Sequence, residues 1–338
     1  MRSYFERWFQ ALWFEGHHRW AYFFLLPLSG LYGFFSSRCS RTSVDTLPVP
    51  VVVVGNLTVG GTGKTPCTLA LTAALRELGW HPGIISRGYG GYQRVPAAVL
   101  PASDPAQLGD EPVLMAGRNL APVWVGRRRV QVAQALLRAH PEVDVLLSDD
   151  GLQHRALPRQ VECVVVDGAR GWGNGALLPA GPLRESLSRL ATVDAVVVNC
   201  ASETPPMSLF SGMAGSVMSL ESSSWISLQD PNQTLPRDHF YGQSCLVLAG
   251  IGHPERFFGQ LERWGIVVER RPFPDHHPYR REDLPAHLDK PVLMTEKDAI
   301  KWRRLGLTQG WYLPVDAHLE PALIQRVDTL LRTKDSHG

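Results

Sequence analysis

Runs of β-branched residues alternate with segments of helical periodicity along most of the chain. Val51 to Val54 is a continuous apolar run, typical of a strand buried in a parallel sheet, and Pro66 to Leu78 predicts a helix that ends at Gly79. Because strands and helices go on alternating, we expect a mostly parallel sheet with helices on both faces. Further strands are predicted at 82–86, 122–125, 143–147, 161–166 and 195–198, with a helix at 128–139.

The pattern weakens after Asn199, where Ser, Gly and Met become frequent as far as Ser224. Two short β-like pieces, 216–220 and 225–228, are interpreted as a ribbon that joins two halves. A second pattern of strands and helices begins at Cys245, with strands at 245–249, 266–269 and 291–294 and helices at 254–264 and 320–331. We therefore predict an α/β fold in four parts: an N-terminal segment (1–40), a larger sheet domain (41–212), a linker (213–240) and a smaller α/β domain (241–338).

The N-terminal segment is unusually rich in aromatic residues. Up to Phe14 they recur at intervals of four, which gives a helix one apolar face, whereas the stretch from Trp20 to Phe35 is almost wholly apolar. That stretch is shorter than the roughly 20 residues that a membrane-spanning helix needs, and Pro27 and two glycines interrupt it. No small-residue cleavage site follows, so a removable signal peptide is not expected.

Three placements of this segment fit the pattern: a helical hairpin packed on the protein's own core, a signal-anchor span, and a segment that lies in the membrane interface. Tryptophan and tyrosine prefer the headgroup level of a bilayer, and arginines flank the apolar stretch on both sides. The pattern favours the interfacial segment. It therefore predicts a membrane-attached protein that does not span the bilayer.

Composition and charge restrict the class of protein further. With 338 residues the chain is long enough for two domains. Its hydrophobic residues make up 44% and its charged residues 20%, which is typical of a globular protein. A formal net charge of +2 gives no support for nucleic-acid binding. The five cysteines form no CxxC pair, which indicates a reducing compartment and argues against a zinc site or a disulfide framework.

The candidate chemistry begins in the loop after the first strand, N-L-T-V-G-G-T-G-K-T-P (56–66). The loop matches the phosphate-binding template G-x-x-x-x-G-K-[ST], except that a threonine stands where the first glycine is expected. In such loops backbone N–H groups hold the phosphates, the lysine reaches the β and γ phosphates, and the last hydroxyl binds Mg²⁺. We therefore predict ATP as a substrate, Mg²⁺ on Thr65, and an ATP site formed by Thr58, Val59, Gly60, Gly61, Thr62, Gly63, Lys64 and Thr65.

A second group that binds magnesium is expected nearby. Asp149 and Asp150 follow the strand predicted at 143–147, and open α/β sheets bind ligands at the carboxyl ends of their strands. One of these two aspartates is therefore expected to be a metal ligand.

Three other clusters fall in predicted loops: G-D-E-P (109–112), P-A-G-P-L-R-E (179–185) and D-H-H-P (275–278). A kinase needs a group that accepts the hydroxyl proton and cations that neutralise the transferred phosphoryl group. Asp110 and Arg184 suit those two parts. Each cluster is equally compatible with a surface turn, however, and spacing alone does not assign them.

Together these motifs resemble the tetraacyldisaccharide 4'-kinase family of lipid A biosynthesis. The resemblance implies ATP-dependent phosphorylation of the 4'-hydroxyl of a tetraacyl glucosamine disaccharide 1-phosphate, at the cytoplasmic face of the bacterial inner membrane. The threonine in the first glycine's place fits, because this family departs from the template there. The motifs occur in order over nearly the whole chain: N-L-T-V-G-G-T-G-K-T-P, S-R-G-Y-G-G (86–91), G-D-E-P, D-D-G-L-Q-H-R (149–155), P-A-G-P-L-R-E, F-P-D-H-H (273–277) and T-E-K-D-A (295–299).

The resemblance also implies roles for individual residues. Asp110 corresponds to the catalytic acid/base, and a histidine of D-H-H supports it; this histidine is placed at His276, with His277 as the alternative. The acids that match the family's magnesium site are Glu111, Asp149 and Asp150. The residues that match its other active-site motifs, with individual roles left open, are Gln153, His154, Arg184 and Glu185.

Two further patterns stay open between function and structure. The basic triplet at 127–129 suits the lipid 1-phosphate or the ATP phosphates, and it suits a solvated face equally well. T-E-K-D-A is interpreted as a helix start with Asp298 near a capping position. Because the histidine comes from the second domain, closure of the two domains is expected to complete the site and exclude water.

Two other functions fit parts of the sequence. A membrane-recruited ATPase switch that acts on a protein partner would use the same loop and anchor, but it leaves Asp110 and D-H-H without a role. A soluble kinase of a small metabolite leaves the aromatic N-terminus unexplained. We therefore predict a lipid kinase whose partners are its lipid substrate and the membrane surface, with no nucleic acid and no obligate protein partner.

Overall fold

The described residues form two sheets and an N-terminal pair of helices. The computed structural model describes residues 2–38, 46–200, 207–210, 212, 215–285 and 287–335. The helices are α1 (Arg2–Phe14), α2 (Arg19–Arg38), α3 (Lys64–Glu77), α4 (Pro105–Leu108), α5 (Asp110–Gly117), α6 (Arg129–Ala139), α7 (Pro254–Arg263), α8 (Glu296–Arg304) and α9 (Pro321–Asp335). The strands are β1 (Val51–Gly55), β2 (Pro82–Ser86), β3 (Ala97–Val99), β4 (Val123–Val125), β5 (Val145–Asp149), β6 (Val161–Asp167), β7 (Ala195–Asn199), β8 (Gly215–Glu221), β9 (Ser224–Ser227), β10 (Thr234–Pro236), β11 (Ser244–Ala249), β12 (Val267–Pro272), β13 (Val292–Thr295), β14 (Trp311–Leu313) and β15 (Asp316–Leu319).

In the part of the chain that the structure describes, the larger sheet has nine strands in the order β15-β8-β7-β6-β1-β5-β2-β4-β3. Neighbouring strands from β8 to β4 run parallel, whereas β15 and β3 are antiparallel at the two edges. The β1 valines are fully buried, as the continuous apolar run requires. The prediction of a mostly parallel α/β sheet is confirmed.

Two hydrophobic cores cover the two faces of this sheet. Successive side chains of a strand point to opposite faces, so Val52 packs with Leu71 of α3 while Val53 packs with Leu136 of α6. Because both faces are sealed, the loops at the carboxyl ends of the strands are the part of the sheet where polar groups can meet a ligand.

The smaller sheet, within the described residues, has six strands in the order β10-β9-β14-β13-β11-β12. Strands β14, β13, β11 and β12 run parallel, and β9 and β10 are antiparallel to their neighbours. Cores with Phe258 on one face and Trp302 on the other cover this sheet.

The path of the chain between the sheets differs from the sequence-based prediction. The pieces at 216–220 and 225–228 do not pair as a ribbon, because β8 joins the larger sheet beside β7 and β9 joins the smaller sheet beside β14. The C-terminal helix α9 packs in the core of the larger sheet, and β15 pairs with β8. The chain therefore enters the second domain after β8 and returns to the first domain at β15.

Helices α1 and α2 form a hairpin that packs against the loop at 174–184. The indole N–H of Trp13 donates to the carbonyl of Pro179 (3.0 Å), and the hydroxyl of Ser29 donates to the carbonyl of Leu177 (2.9 Å). This loop contains the P-A-G-P-L-R-E motif, so the hairpin touches the same segment that supplies a predicted active-site arginine.

The face of α2 that points away from this loop is apolar and exposed. Pro27 lies inside α2 without ending it. No helix among the described residues is both long enough and apolar enough to cross a membrane. The side chains that keep between 48% and 77% of their surface exposed are Trp20, Phe23, Phe24, Leu28, Leu31, Phe34 and Phe35.

Candidate active site

The loop after β1 turns back to the start of α3. Gly60 and Gly63 adopt φ angles of 103° and 94°, which side-chain-bearing residues rarely adopt, and Gly63 directly precedes Lys64 at the helix N-terminus. Thr58 has no such angle and forms a bridge with Leu183, so a glycine is not required there. The side chain of Asn56 donates to the carbonyl of Thr58 (2.6 Å) and stabilises the turn at the start of the loop.

Two aspartates meet this loop at the carboxyl end of β5. Asp149 accepts hydrogen bonds from the hydroxyls of Thr65 (3.4 Å) and Thr68 (3.2 Å). Asp150 lies 3.7 Å from the ammonium of Lys64 and 3.4 Å from the guanidinium of Arg184. The residues predicted to hold phosphate and metal are thus brought together around one helix N-terminus.

Three carboxylates crowd this position. Burial raises the pKa of Asp149 to about 7, and the negative charges of Glu111 and Asp150 contribute in the same direction. The pKa of Asp150 shifts the other way, because Lys64 and Arg184 outweigh the effect of burial. A cation placed among these acids would relieve their repulsion, and carboxylate and hydroxyl oxygens are the ligands that Mg²⁺ prefers.

The described residues contain no group of three His, Cys, Asp or Glu side chains that already forms a metal cage. Mg²⁺ is usually held by one or two carboxylates together with water and substrate phosphates, and not by a cage made of protein alone. Thr65 and Asp149, with Glu111 and Asp150 close by, therefore fit Mg²⁺ that arrives with a nucleotide.

The basic triplet at 127–129 divides into three different environments. Arg129 is 1% exposed, and its guanidinium donates to the backbone carbonyls of Gly126 (3.4 Å) and Asp149 (3.2 Å). Burial lowers its pKa to about 10, against the opposing charges of Asp149 and Asp150. Arg129 therefore holds the backbone at the carboxyl end of β5 in place, whereas Arg127 and Arg128 are exposed.

Asp110 does not lie in a loop, as the sequence pattern predicted, but at the first position of α5. Gly109, with a φ of 96°, precedes the helix, and its added Cβ would meet the backbone of Tyr89 at 2.7 Å. The preceding short helix α4 brings Gly109 into this tight contact with the S-R-G-Y-G-G loop. Asp110 is therefore held beside the loop that follows β2 and is 6% exposed.

Two basic side chains from the second domain approach Asp110. The Nδ1 atom of His276 donates to its Oδ2 atom (3.0 Å), and the Nζ atom of Lys301 lies 2.7 Å from the same oxygen. Burial acts to raise the pKa of Asp110, but the hydrogen bond from His276 and the charge of Lys301 hold this pKa below its usual value. The carboxylate is therefore kept ionised.

The geometry separates the two candidate histidines. His276 has a φ of 60°, which turns its ring towards Asp110, and Tyr89 packs edge-on against that ring. His277 instead lies 3.1 Å from Asp283 and packs on Phe273. Of the two, His276 is therefore the residue in contact with Asp110.

The remaining predicted residues support the surrounding loops. The side chain of Gln153 donates to the carbonyl of Asn56 (3.0 Å), and the ring of His154 donates to the carbonyl of Arg127 (3.2 Å). Glu185 is 5% exposed and forms an ion pair with Arg155 (3.0 Å). Of these four residues, Arg184 alone contacts Asp150, the aspartate that follows β5 and faces the phosphate loop.

A cavity of about 320 Å³ lies at the loop after β2, and Tyr89, one of its lining residues, contacts the ring of His276. It is lined by the S-R-G-Y-G-G loop and by three arginines, Arg87, Arg94 and Arg127. No carboxylate of the described residues forms an ion pair with any of the three. In the sheet this cavity lies at the end of β2 and β4, and the phosphate loop follows β1 on the other side of β5.

Sequence reasoning missed several residues that join the two domains. Lys297 and Lys301 project from α8 into the Asp110 site; Lys297 belongs to the T-E-K-D-A segment that was interpreted as a helix start, and Lys301 lies one turn further on. That interpretation is also right, because Thr295 caps α8 and its hydroxyl accepts from the N–H of Asp298. The sequence did contain a signal for them: two lysines four residues apart at a helix start lie on the same face of that helix.

A second contact between the domains lies near the ends of β6 and α7. Arg256 forms two hydrogen bonds with the carboxylate of Asp167 (2.8 and 3.2 Å), and the guanidinium of Arg170 contacts the ring of His253. Burial, together with the charges of Arg170 and Arg256, lowers the pKa of His253 to about 4. These groups hold the second domain over the phosphate loop.

The fold and the site define a P-loop phosphotransferase in which residues of a second domain contact a buried carboxylate of the first, Asp110. A family model described as Tetraacyldisaccharide-1-P 4'-kinase matches residues 21–332. The chain therefore belongs to the tetraacyldisaccharide 4'-kinase family, and the predictions of the family, of a lipid kinase and of its reaction are confirmed.

Individual relatives agree with this family. The tetraacyldisaccharide 4'-kinase of Dechloromonas aromatica is 49% identical over 329 residues, which cover 96% of this chain and 98% of the relative. That of Chromobacterium violaceum is 47% identical over 332 residues, which cover 94% and 96%. The crystal structure of LpxK from Aquifex aeolicus in complex with ATP matches with a TM-score of 0.78 and 28% identity, covering 92% of this chain and 99% of that one.

Proposed function

We propose that this chain transfers the γ-phosphoryl group of ATP to the 4'-hydroxyl of a membrane-resident tetraacyldisaccharide 1-phosphate, with Asp110 as the proton acceptor. The observation that carries the proposal is the contact of Asp110 with His276 and Lys301, beside a phosphate loop in a member of this kinase family. An ATPase switch would not need this group, so the alternative is not favoured.

The donor and the acceptor approach from opposite sides of β5. The phosphate loop and the N-terminus of α3 hold the ATP phosphates, and Lys64 and Arg184 supply positive charge beside Asp150. The 4'-oxygen attacks the γ-phosphorus while the bond to the ADP oxygen breaks, and the hydroxyl proton goes to Asp110. The Oδ2 atom of Asp110 holds His276 and Lys301, which leaves Oδ1 to accept that proton.

Mg²⁺ is expected at Thr65, Glu111, Asp149 and Asp150. When bound, it would neutralise negative charge on the γ-phosphoryl group that is transferred and on the ADP phosphates that leave. Thr68 keeps one oxygen of Asp149 occupied by a hydrogen bond, and Arg129 holds its backbone carbonyl. These contacts fix the carboxylate before any ion arrives.

The acceptor sugar lies in the arginine-lined cavity. Tyr89, which lines this cavity, contacts the ring of His276, and Arg87, Arg94 and Arg127 offer positive charge to the phosphate at the far end of the disaccharide. Arg129, the third member of the triplet, is excluded from that role by its burial.

The exposed face of α2 attaches the protein to the cytoplasmic face of the inner membrane without crossing it. An apolar patch of this kind on a soluble domain marks an interaction surface, and large aromatic side chains favour the bilayer interface. The opposite face of the hairpin contacts the loop of Arg184, whose backbone carbonyl accepts from Tyr32 (3.1 Å). Attachment would thus bring the catalytic cleft to its lipid.

The reaction is tested with ATP, Mg²⁺ and tetraacyldisaccharide 1-phosphate in detergent. We expect a product heavier by one phosphoryl group and one ADP for each product molecule. ATP turnover without a phosphorylated lipid would contradict the proposal.

Membrane attachment is tested by co-sedimentation with anionic vesicles. We expect Phe24→Ser with Phe35→Ser to release the protein from vesicles and to leave activity on detergent-dispersed lipid. Val267→Ser, which removes an exposed apolar side chain (57% exposed) from the second domain, serves as the control. A double variant that stays on the vesicles would rule out this face as the anchor.

A further inference from the structure

Two lysines of α8 enter the site around Asp110 and His276. The Nζ atom of Lys301 lies 2.7 Å from Oδ2 of Asp110, and the Nζ atom of Lys297 lies 3.5 Å from Nε2 of His276 and 2.8 Å from Asp275. Both side chains are largely buried, with 11% and 14% of their surface exposed. They are four residues apart and therefore share one face of the helix.

Burying an ammonium group is costly unless a partner is held in place. The carbonyl of His277 accepts a second hydrogen bond from Lys301 (3.2 Å), so this ammonium is fixed by two groups. In an exposed ion pair the lysine side chain would be free to move. The side chain of Lys301 is instead confined between α5 and the turn that carries His276.

Helix α8 is itself anchored on both domains. Arg118, just after α5, forms an ion pair with Glu296 at the start of α8 (2.7 Å). The buried carboxylate of Asp298 accepts from the N–H of Gly250 (3.0 Å) and the hydroxyl of Tyr279 (2.9 Å). These contacts set the rotation of α8, so that its lysines face Asp110 and His276.

The hydrogen-bond pattern assigns a separate task to each lysine. Lys301 and Nδ1 of His276 both donate to Oδ2 of Asp110, so this oxygen is occupied and Oδ1 is left for the acceptor. An ammonium can only donate, so the 3.5 Å contact of Lys297 with Nε2 of His276 fits the neutral ring that carries its proton on Nδ1. That tautomer is the one that can donate to Asp110.

We propose that Lys297 and Lys301 are positioning residues of the phosphoryl transfer: Lys301 selects the oxygen of Asp110 that meets the 4'-hydroxyl, and Lys297 selects the tautomer of His276. The inference rests on the proposed function, because it assumes that Asp110 accepts the hydroxyl proton. Since both lysines belong to the second domain, Asp110 is oriented only while α8 packs on α5.

The test compares Lys301→Met with Lys301→Arg in the full-length protein. Misplacing a reacting group by about 1 Å costs roughly 100-fold in rate. We therefore expect Lys301→Met to lower kcat by roughly 10- to 100-fold, with KM for ATP and for the lipid within about twofold. Lys301→Arg keeps the charge and should recover a substantial part of kcat, whereas a general packing defect would not distinguish the two variants.

Arg304→Met is the matched control. Arg304 lies on the same helix, is half-exposed, and pairs with Asp104 away from the site (3.0 Å). We expect its kcat to stay at the wild-type value. Thermal unfolding of all variants shows whether each remains folded, and Lys297→Met should behave as Lys301→Met does, with a smaller loss.

A second comparison uses Asp110→Ala as the background. If Lys301 acts through Asp110, Lys301→Met should cause no further loss of kcat in that background. Losses that multiply, an unchanged kcat for Lys301→Met, or a defect confined to KM would each overturn the inference. Failure of the wild-type protein to phosphorylate the lipid would instead overturn the proposed function, so the two failures are distinguishable.

Discussion

Asp110 and His276 are separated by 166 residues and belong to different domains, yet Nδ1 of His276 lies 3.0 Å from Oδ2 of Asp110. If the two act as one unit in proton transfer, their losses should not add. We expect Asp110→Ala to lower kcat by roughly 10²- to 10⁴-fold, His276→Ala to lower it less, and the double variant to equal Asp110→Ala. Steady-state phosphorylation of the lipid measures all three, and losses that multiply would show independent roles.

His277 supplies the control for that assignment. Its ring is engaged with Asp283 and Phe273, away from the reacting groups. We expect His277→Ala to keep kcat within a few-fold of wild type, because only second-domain packing is disturbed. Equal defects for His276→Ala and His277→Ala would show that the contact observed with Asp110 is not the decisive one.

Lys64→Ala should abolish phosphoryl transfer while the protein stays folded. Lys64 is the first residue of α3, and its ammonium faces Asp150 across the loop, so the charge serves the phosphates and not a core. Transfer activity and thermal unfolding are measured together. Lys290→Ala, which removes a surface ammonium paired with Glu269, should leave both unchanged; appreciable transfer by Lys64→Ala would remove this residue from the phosphate site.

Asp149→Asn should raise the Mg²⁺ concentration needed for half-maximal activity. The substitution removes the most buried carboxylate of the acidic cluster and keeps a group that can hydrogen-bond to Thr68. A titration with Mg²⁺ at saturating ATP measures the shift. If the requirement for Mg²⁺ is unaltered and only the KM for lipid changes, Asp149 is not a metal ligand.

Arg129→Ala should destabilise the protein by about 2–4 kcal/mol and also lower kcat. The substitution leaves a cavity and removes the guanidinium donor from two backbone carbonyls, one of them on Asp149. Denaturant unfolding measures the free energy. Arg128→Ala, next in the chain but exposed, should change it by less than about 0.5 kcal/mol, and a similar cost for both variants would contradict the assigned support of Asp149.

Ser29→Ala tests whether the hairpin and the active-site loop are mechanically connected. The hydroxyl of Ser29 also accepts from the buried N–H of Ala180 (3.0 Å), which would lose its partner at a cost of about 1–3 kcal/mol. We expect lower stability and a lower kcat in detergent, since the same loop carries Arg184. The neighbouring Gly30→Ala meets no atom within 4 Å and should be neutral or slightly stabilising.

Local patterns were sufficient to predict most of the larger sheet. The run Val51 to Val54 and the glycine loop after it identify β1 and α3 because burial and phosphate binding each demand particular residues in sequence. The position of Asp110 was mistaken for a loop because Gly109 and Pro112 mark turns and helix starts equally well. Pattern alone does not distinguish the two.

Contacts between distant segments were beyond the reach of periodicity. Nothing in the order of residues shows that α9 packs on α3, because the chain returns to the larger sheet only after the second domain. Nor does it show that Lys301 approaches Asp110, because that contact depends on how the two domains are docked. The N-terminal hairpin is a second example of what periodicity does not decide. The sequence offered packing on the protein and exposure to a membrane as alternatives, whereas α2 has one docked face and one exposed apolar face.

The return of the chain to the larger sheet has a consequence for movement. Glu221 at the end of β8 lies opposite Asp316 at the start of β15, so the exit from the first domain and the re-entry are adjacent. The whole second domain is thus an insertion into what is otherwise a β-hairpin, which a short turn can close. Two covalent connections side by side permit rotation about the line through them and resist twisting. Opening of the cleft would therefore carry His276, Lys297 and Lys301 away from Asp110 as one rigid set.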